Sequence, residues 1–184
     1  MELLKVTEKN VLHEVKKSID WCIHRIMYMV ADTPITFVHK VSQVDKETCD
    51  ALGYTIYEAF YNGGTILNNK GDLIFAHFGE PENGWIFGFI DYFVDWLKAK
   101  GLNAEFVDND VLVDDHKLCG ICITRHGVID FTCCFLCVNV DLEAIKAICK
   151  KPMKKVPRGL SEYGITTEEV EQMFLEFCNS QTTL

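Results

Sequence analysis

A lysine three residues ahead of a glycine, where a strand begins, is a cation placed to meet an anion. Here it is Lys117, in the run Asn109-Asp110-Val111-Leu112-Val113-Asp114-Asp115-His116-Lys117-Leu118-Cys119-Gly120. Val111 to Val113 are strand formers, Asp114-Asp115 is turn chemistry, and an apolar run resumes at Leu118. Gly120 would let a ligand approach the backbone, and the lysine would balance a carboxylate or phosphate. Taken alone, a solvated hairpin lysine explains the same residue. A second glycine-rich word, Asn62-Gly63-Gly64-Thr65-Ile66-Leu67, is followed by Lys70-Gly71-Asp72-Leu73. His77, on the strand Leu73 to Phe78, could point into a pocket between these words or sit satisfied and half-buried.

These words need elements to position them. The apolar spacing predicts a helix from Val11 to Val30, with Val15, Ile19, Ile23 and Ile26 or Met27 on one face. Ile35 to Val38 reads as a strand, Asp45 to Leu52 as a helix stopped by Gly53, and Tyr54 to Ala59 as a strand. Thr65 to Leu67 and Leu73 to Phe78 read as a hairpin around Asn68 to Asp72, and Pro81 to Gly84 as a turn. Trp85 to Lys100 is the clearest helix, with Ile86, Phe89, Ile90, Phe93, Val94 and Leu97 as its apolar stripe and Asp91 and Asp95 on its solvated side. Strands follow over Leu102 to Val107, Val111 to Val113, Leu118 to Thr124 and Phe131 to Val140. Asp141 caps a short helix to Cys149, and Thr166-Thr167-Glu168-Glu169 opens the last helix with a capping box. The stretch 150–164, with two prolines, two glycines and four lysines, reads as a connector or flap, and 165–184 as the C-terminal helix. Hairpins with helices between them give an α+β fold in one domain spanning 1–184.

The formal net charge of −9, without a dense basic face, disfavours nucleic acid as partner. No apolar run is long enough for a membrane span, and Met1 to Asn10 lacks a signal-peptide core. Nine cysteines then fit a reducing cytoplasm. Cys119-x-x-Cys122 and Cys133-Cys134-x-x-Cys137 superficially match zinc spacing, but they sit in strand sequence, where residues three apart face opposite ways. Buried reduced thiols are the expectation, with no metal site. Trp21, Trp85 and Trp96 are expected in the core.

Together the two words resemble the biotin–protein and lipoate–protein ligase superfamily, octanoyltransferases included. Asn109-Asp110 matches its strand-opening pair, Lys117-Leu118-Cys119-Gly120 its Lys-x-x-Gly word, and Asn62-Gly63-Gly64-Thr65 its glycine-rich loop, in order and with a long helix between, over residues 35 to 150. The resemblance implies a mixed, largely antiparallel sheet flanked by helices, related to class II aminoacyl-tRNA synthetases. It also implies activation of a small acid (lipoate, octanoate or biotin) by ATP and Mg²⁺, then acyl transfer to a lysine of a lipoyl or biotinyl carrier domain. Lys117 would be catalytic; Asn62, Gly63, Gly64, Thr65, His77, Asn109, Asp110 and Gly120 would bind substrate; and Arg158 could reach the phosphates. Glu58 and Ala59 stand where lipoate ligases carry an arginine pair, so one alternative is a degenerate member that only binds a nucleotide or small anion. A second alternative is an ATP-independent octanoyltransferase using Lys117 and Cys149, because His126-Gly127 and Val138-Asn139-Val140-Asp141-Leu142 resemble that branch.

Overall fold

The computed structural model describes residues 1–58, 64–80 and 84–181. Its centre is a seven-stranded sheet in the order β1-β2-β6-β10-β9-β8-β7, and a three-stranded sheet, β4-β3-β5, lies beside it. The large sheet comprises β1 (Glu2–Lys5), β2 (Arg25–Val30), β6 (Leu73–Gly79), β7 (Ala104–Val107), β8 (Asp110–Val113), β9 (His116–His126) and β10 (Ile129–Leu136). The small sheet comprises β3 (Ile35–Val38), β4 (Thr55–Glu58) and β5 (Ile66–Asn68). Among these described strands, the β1–β2 and β3–β4 pairs are parallel and the others antiparallel. The helices are α1 (Val11–Asp20), α2 (Lys46–Ala51), α3 (Trp85–Ala99), α4 (Leu142–Ile148) and α5 (Thr167–Gln181). The expected α+β class and largely antiparallel sheet are present.

Alternation along the strands sorts the core into layers. One face of the large sheet packs on α3 and α5, where all six residues of the α3 stripe are buried beside Phe174 and Phe177. The other face packs on Val11 and Val15 of α1 and on Ile35 and Phe37 of β3. A third cluster joins Val38, Tyr54 and Leu67 to α2 and α4. Asp141 caps α4 as the sequence suggested, Asp45 caps α2 in the same way, and Thr166 and Glu169 complete the capping box of α5.

Three expectations fail. The helix from Val11 stops at Asp20, and Arg25–Val30 is a strand. Both faces of β2 are buried, so Ile26 to Met29 form a continuous apolar run with no alternation to betray it. Buried Arg25 starts that strand and donates to Ser18 Oγ and to Glu14, fastening β2 to α1. The strands around Asn68 to Asp72 do not pair with each other: β5 pairs with β3, whereas β6 pairs with β2 and β10. Trp21 is 77% exposed, because it follows the last turn of α1 instead of continuing its face.

The reason for the split around residues 68–72 is Asp72, which is fully buried. Its Oδ1 accepts the N–H groups of Val138 and Asn139 at 2.7 and 2.8 Å, and Oδ2 accepts that of Asn69 at 2.8 Å. Asn139 Nδ2 donates to Lys70 O and Thr167 Oγ1 to Gly71 O, so one turn holds β6, the strand exit before α4 and the start of α5. Burial pushes the Asp72 carboxyl up to about 7, against the hydrogen bonds that hold it down.

Candidate functional site

Two tight hairpins bring the Lys117 region together. Asp108 and Asn109 both take positive φ between β7 and β8, and Asp114 and Asp115 do so between β8 and β9. These are two-residue turns of the type whose twist suits a hairpin, and Asp and Asn tolerate the left-handed region. Asn109 therefore forms the turn, and its carbonyl accepts Ile121 N–H; Asp110 is the first strand residue.

A bulge decides which way Lys117 points. Asp110 pairs with Gly120 and Val111 with Cys119, but Leu112 pairs with Lys117, leaving Leu118 as the extra residue. In a regular strand, residues 117 and 120 would face opposite sides. The bulge places Lys117, Gly120, Asp110 and Leu112 on one face, while the adjacent Leu118 and Cys119 both enter the core under α3 and α5. Lys117 can then fold back across Gly120: a β-carbon added there would lie 2.7 Å from Lys117 Nζ. The ammonium reaches Asp110 Oδ1 at 2.7 Å.

Lys155 joins the cluster, with its Nζ 3.2 Å from Asp110 Oδ2 and 3.1 Å from Val107 O. One half-buried carboxylate thus holds two ammonium groups. Two ammonium groups gathered on one carboxylate concentrate positive charge of the kind that can meet a carboxylate or phosphate. Sequence reasoning missed Lys155, because nothing in Lys154-Lys155 distinguishes the lysine that folds inward. The segment carrying it is docked: Lys117 N–H donates to Val156 O, and Arg158 N–H donates back to Lys117 O, each at 3.0 Å.

The same face of the sheet leads to a cavity. Phe135 lies directly across from Gly120 in the β9–β10 register and forms part of the cavity wall. The cavity, about 50 Å³, is bounded by Val11 and Val15 of α1, Met29, Phe37 and Ala76. Among the described residues, no Asp, Glu, Asn, Gln, Lys, Arg or His side chain lines it. The lysine–aspartate corner and an apolar cavity therefore lie one strand apart.

Other candidates lie elsewhere. His77 occupies the α3/α5 face and stacks on Trp85 with ring centroids 4.8 Å apart, so it is across the sheet from Lys117; burial first, and His24 second, lower its pKa to about 4. Cys149 ends α4 beside the third core cluster, and burial raises its thiol pKa, the reverse of what a nucleophile needs. Arg158 is near in backbone, but its side chain lies on Tyr163 and reaches Glu162; the Tyr163 hydroxyl holds its pKa up. Gly64 and half-buried Thr65 lead into β5, and an added β-carbon at Gly64 meets nothing within 4 Å. Asn62 and Gly63 lie outside the described residues, as does Ala59; Glu58 ends β4 and accepts Val41 N–H. The words shared with octanoyltransferases have structural duties, since Asn139 clasps the 70–72 turn and Asp141 caps α4. The cysteine pairs split as the strands alternate: Cys119 and Cys134 face α3 and α5, while Cys122 and Cys133 face the other layer. Among the described residues no three His, Cys, Asp or Glu side chains form a group that could hold a metal.

Comparison with known proteins agrees with this geometry. The family model of the lipoyl protein ligase A/B catalytic domain matches residues 9–179. A bi-partite lipoate protein ligase of Thermoplasma acidophilum, studied with its E2 lipoyl domain, superposes with a TM-score of 0.77 at 16% identity, covering 99% of this chain and 83% of that one. A lipoate-protein ligase A bound with ATP gives 0.76 at 16% identity, covering 99% and 85%. A biotin protein ligase variant from Aquifex aeolicus in complex with biotin gives 0.56 at 14%, covering 100% and 70%. No curated protein matches the chain by sequence.

Proposed function

For a chain that belongs to the lipoyl protein ligase A/B catalytic domain family, we propose that it activates an acid with an apolar tail, lipoate or octanoate, and passes the acyl group to a lysine of a carrier domain. The observation that carries this reading is the single sheet face on which Lys117 and Asp110 stand beside a cavity that, among the described residues, has no charged, amide or imidazole side chain in its wall. Buried in such a cavity, the ureido ring of biotin would leave N–H and C=O groups unpaired, at a cost of roughly 2–7 kcal/mol. A hydrocarbon or dithiolane tail carries no such penalty. The cavity is small for an eight-carbon tail, and Met27 and Met29 in its wall are unbranched side chains able to make room.

In the first step a carboxylate oxygen attacks the α-phosphorus of ATP and pyrophosphate leaves. Lys117 stabilises the charge that grows between acyl carbonyl and phosphate, and Lys155 shares the load on Asp110. An amine then attacks the acyl carbonyl, and AMP departs. Mg²⁺ would arrive with the phosphates and would need Asp110 once Lys117 and Lys155, which occupy its two oxygens, turn to the anion; Mg²⁺ commonly takes only one or two protein carboxylates. The ATP-bound relative and the relative studied with its lipoyl domain support these partners.

The test is acid-dependent ATP–pyrophosphate exchange with lipoate, octanoate and biotin. We expect exchange with the first two, abolished in Lys117→Ala. Absence of exchange with every acid would overturn the ligase reading. A second reading, binding without turnover, is favoured by Glu58 and Ala59 in place of an arginine pair; it predicts retained lipoate or nucleotide with no exchange. The Cys149 transferase reading is the weaker one, given the raised thiol pKa.

A further inference from the structure

Charge is unevenly distributed along this chain. Six of its 18 lysines and arginines fall within residues 144–161, where there is no aspartate or glutamate. All 27 acids lie elsewhere, against the remaining 12 cations. Two of the six, Lys155 and Arg158, turn toward the Lys117 site or Tyr163. Lys150, Lys151 and Lys154 are exposed, and among the described residues no carboxylate lies within ion-pair distance of any of them. Exposed Val156 and Pro152 add apolar surface among these lysines. The segment is not adrift, because Val156 and Arg158 are bonded through the backbone to Lys117 itself.

We propose that the Lys150–Val156 ridge is where the carrier domain docks, and that the carrier presents an acidic surface around its acceptor lysine. This rests on the acyl-transfer reading and adds the location and charge of the partner. An acceptor amine must come within bonding distance of an acyl group held at Lys117, so the partner has to touch the rim of that site. The Lys155–Val156 end of this ridge touches that rim, and the segment carries the densest positive charge in a chain of net −9. Lysines around an apolar patch match a carboxylate-rimmed partner and speed its encounter. A nucleic acid fits less well, because an extended polyanion would run from the ridge onto the acidic turns at Asp108, Asp114 and Asp115.

The test is direct binding of the full chain to a purified acidic apo-lipoyl domain, by titration at low and high salt, beside exchange measurements on the same samples. With Lys150, Lys151 and Lys154 changed together to Glu, we expect binding to weaken by about tenfold or more at low salt. Pyrophosphate exchange should stay at the wild-type level. Replacing carboxylates near the carrier's acceptor lysine with lysines should restore binding to the triple variant. Equal binding by wild type and triple variant, or no binding by wild type, would overturn the proposal. Stronger binding of single-stranded RNA, lost on the same charge reversal, would also overturn it. Charge-dependent carrier binding without exchange in the wild type would leave the docking site standing and sink the ligase chemistry.

Discussion

Lys117 depends on a residue that carries no side chain. Gly120 has ordinary backbone geometry, so its value lies in the space over which the lysine folds toward Asp110. In Gly120→Ala the new methyl group would meet the flexible end of Lys117 and no backbone, so stability should change by less than about 1 kcal/mol. The ammonium would be displaced, however, and we expect exchange to fall about 100-fold, read beside an unchanged circular dichroism spectrum. His77 makes a different prediction. Its folded pKa, about 4, lies below the ordinary 6.5, so the stability it contributes is complete above pH 6.5 and is lost as pH falls through 4. The shift amounts to roughly 3 kcal/mol. Asp72, whose pKa is raised to about 7, acts with opposite sign across the same window. The difference between wild type and His77→Phe therefore isolates the histidine, and chemical denaturation at pH 7 and pH 4.5 should show the wild type losing more than the variant.

Among the elements, the 70–72 turn is the joint on which the candidate site's frame rests. Asp72→Ala would leave three backbone N–H groups, at residues 69, 138 and 139, without their acceptor. We expect a loss of at least about 3 kcal/mol in urea denaturation. Gly71 is held at φ +92°, and an added β-carbon there would lie 2.6 Å from Thr167 Oγ1 and 2.9 Å from Asn139 Nδ2, so Gly71→Ala should also destabilise. The β8–β9 bulge works at this scale too. It turns a three-residue spacing into a shared face, which regular strand alternation would forbid.

For the molecule as a whole, two sheets meet with their apolar faces together and leave a small cavity beside the charged corner. Ala76 is buried in the cavity wall. Ala76→Leu should fill the space, raising KM for octanoate and lipoate in exchange by about tenfold while leaving the melting temperature unchanged or higher. Equal KM values in both proteins would mean that the tail lies elsewhere. Among the described residues, no helix is long and apolar enough to cross a membrane, consistent with the mixed surface charge.

The sequence by itself determined the elements whose signals are local: the α3 stripe, the Asp141 cap, the Thr166 capping box and the Asp114-Asp115 turn. It also determined which lysine to examine, because Lys117 and Gly120 come in a short word of fixed spacing. Tertiary structure decided what those residues meet. β2 is hidden by burial on both faces, which erases its period. Burial drew Asp72 inward and separated two strands that read as one hairpin. Strand parity placed His77 across the sheet from Lys117, and a bulge that sends both Leu118 and Cys119 into the core put Lys117 and Gly120 together. Lys155 entered the site through a connector whose backbone bonds to β9 have no local code, because their partner is nearly forty residues away.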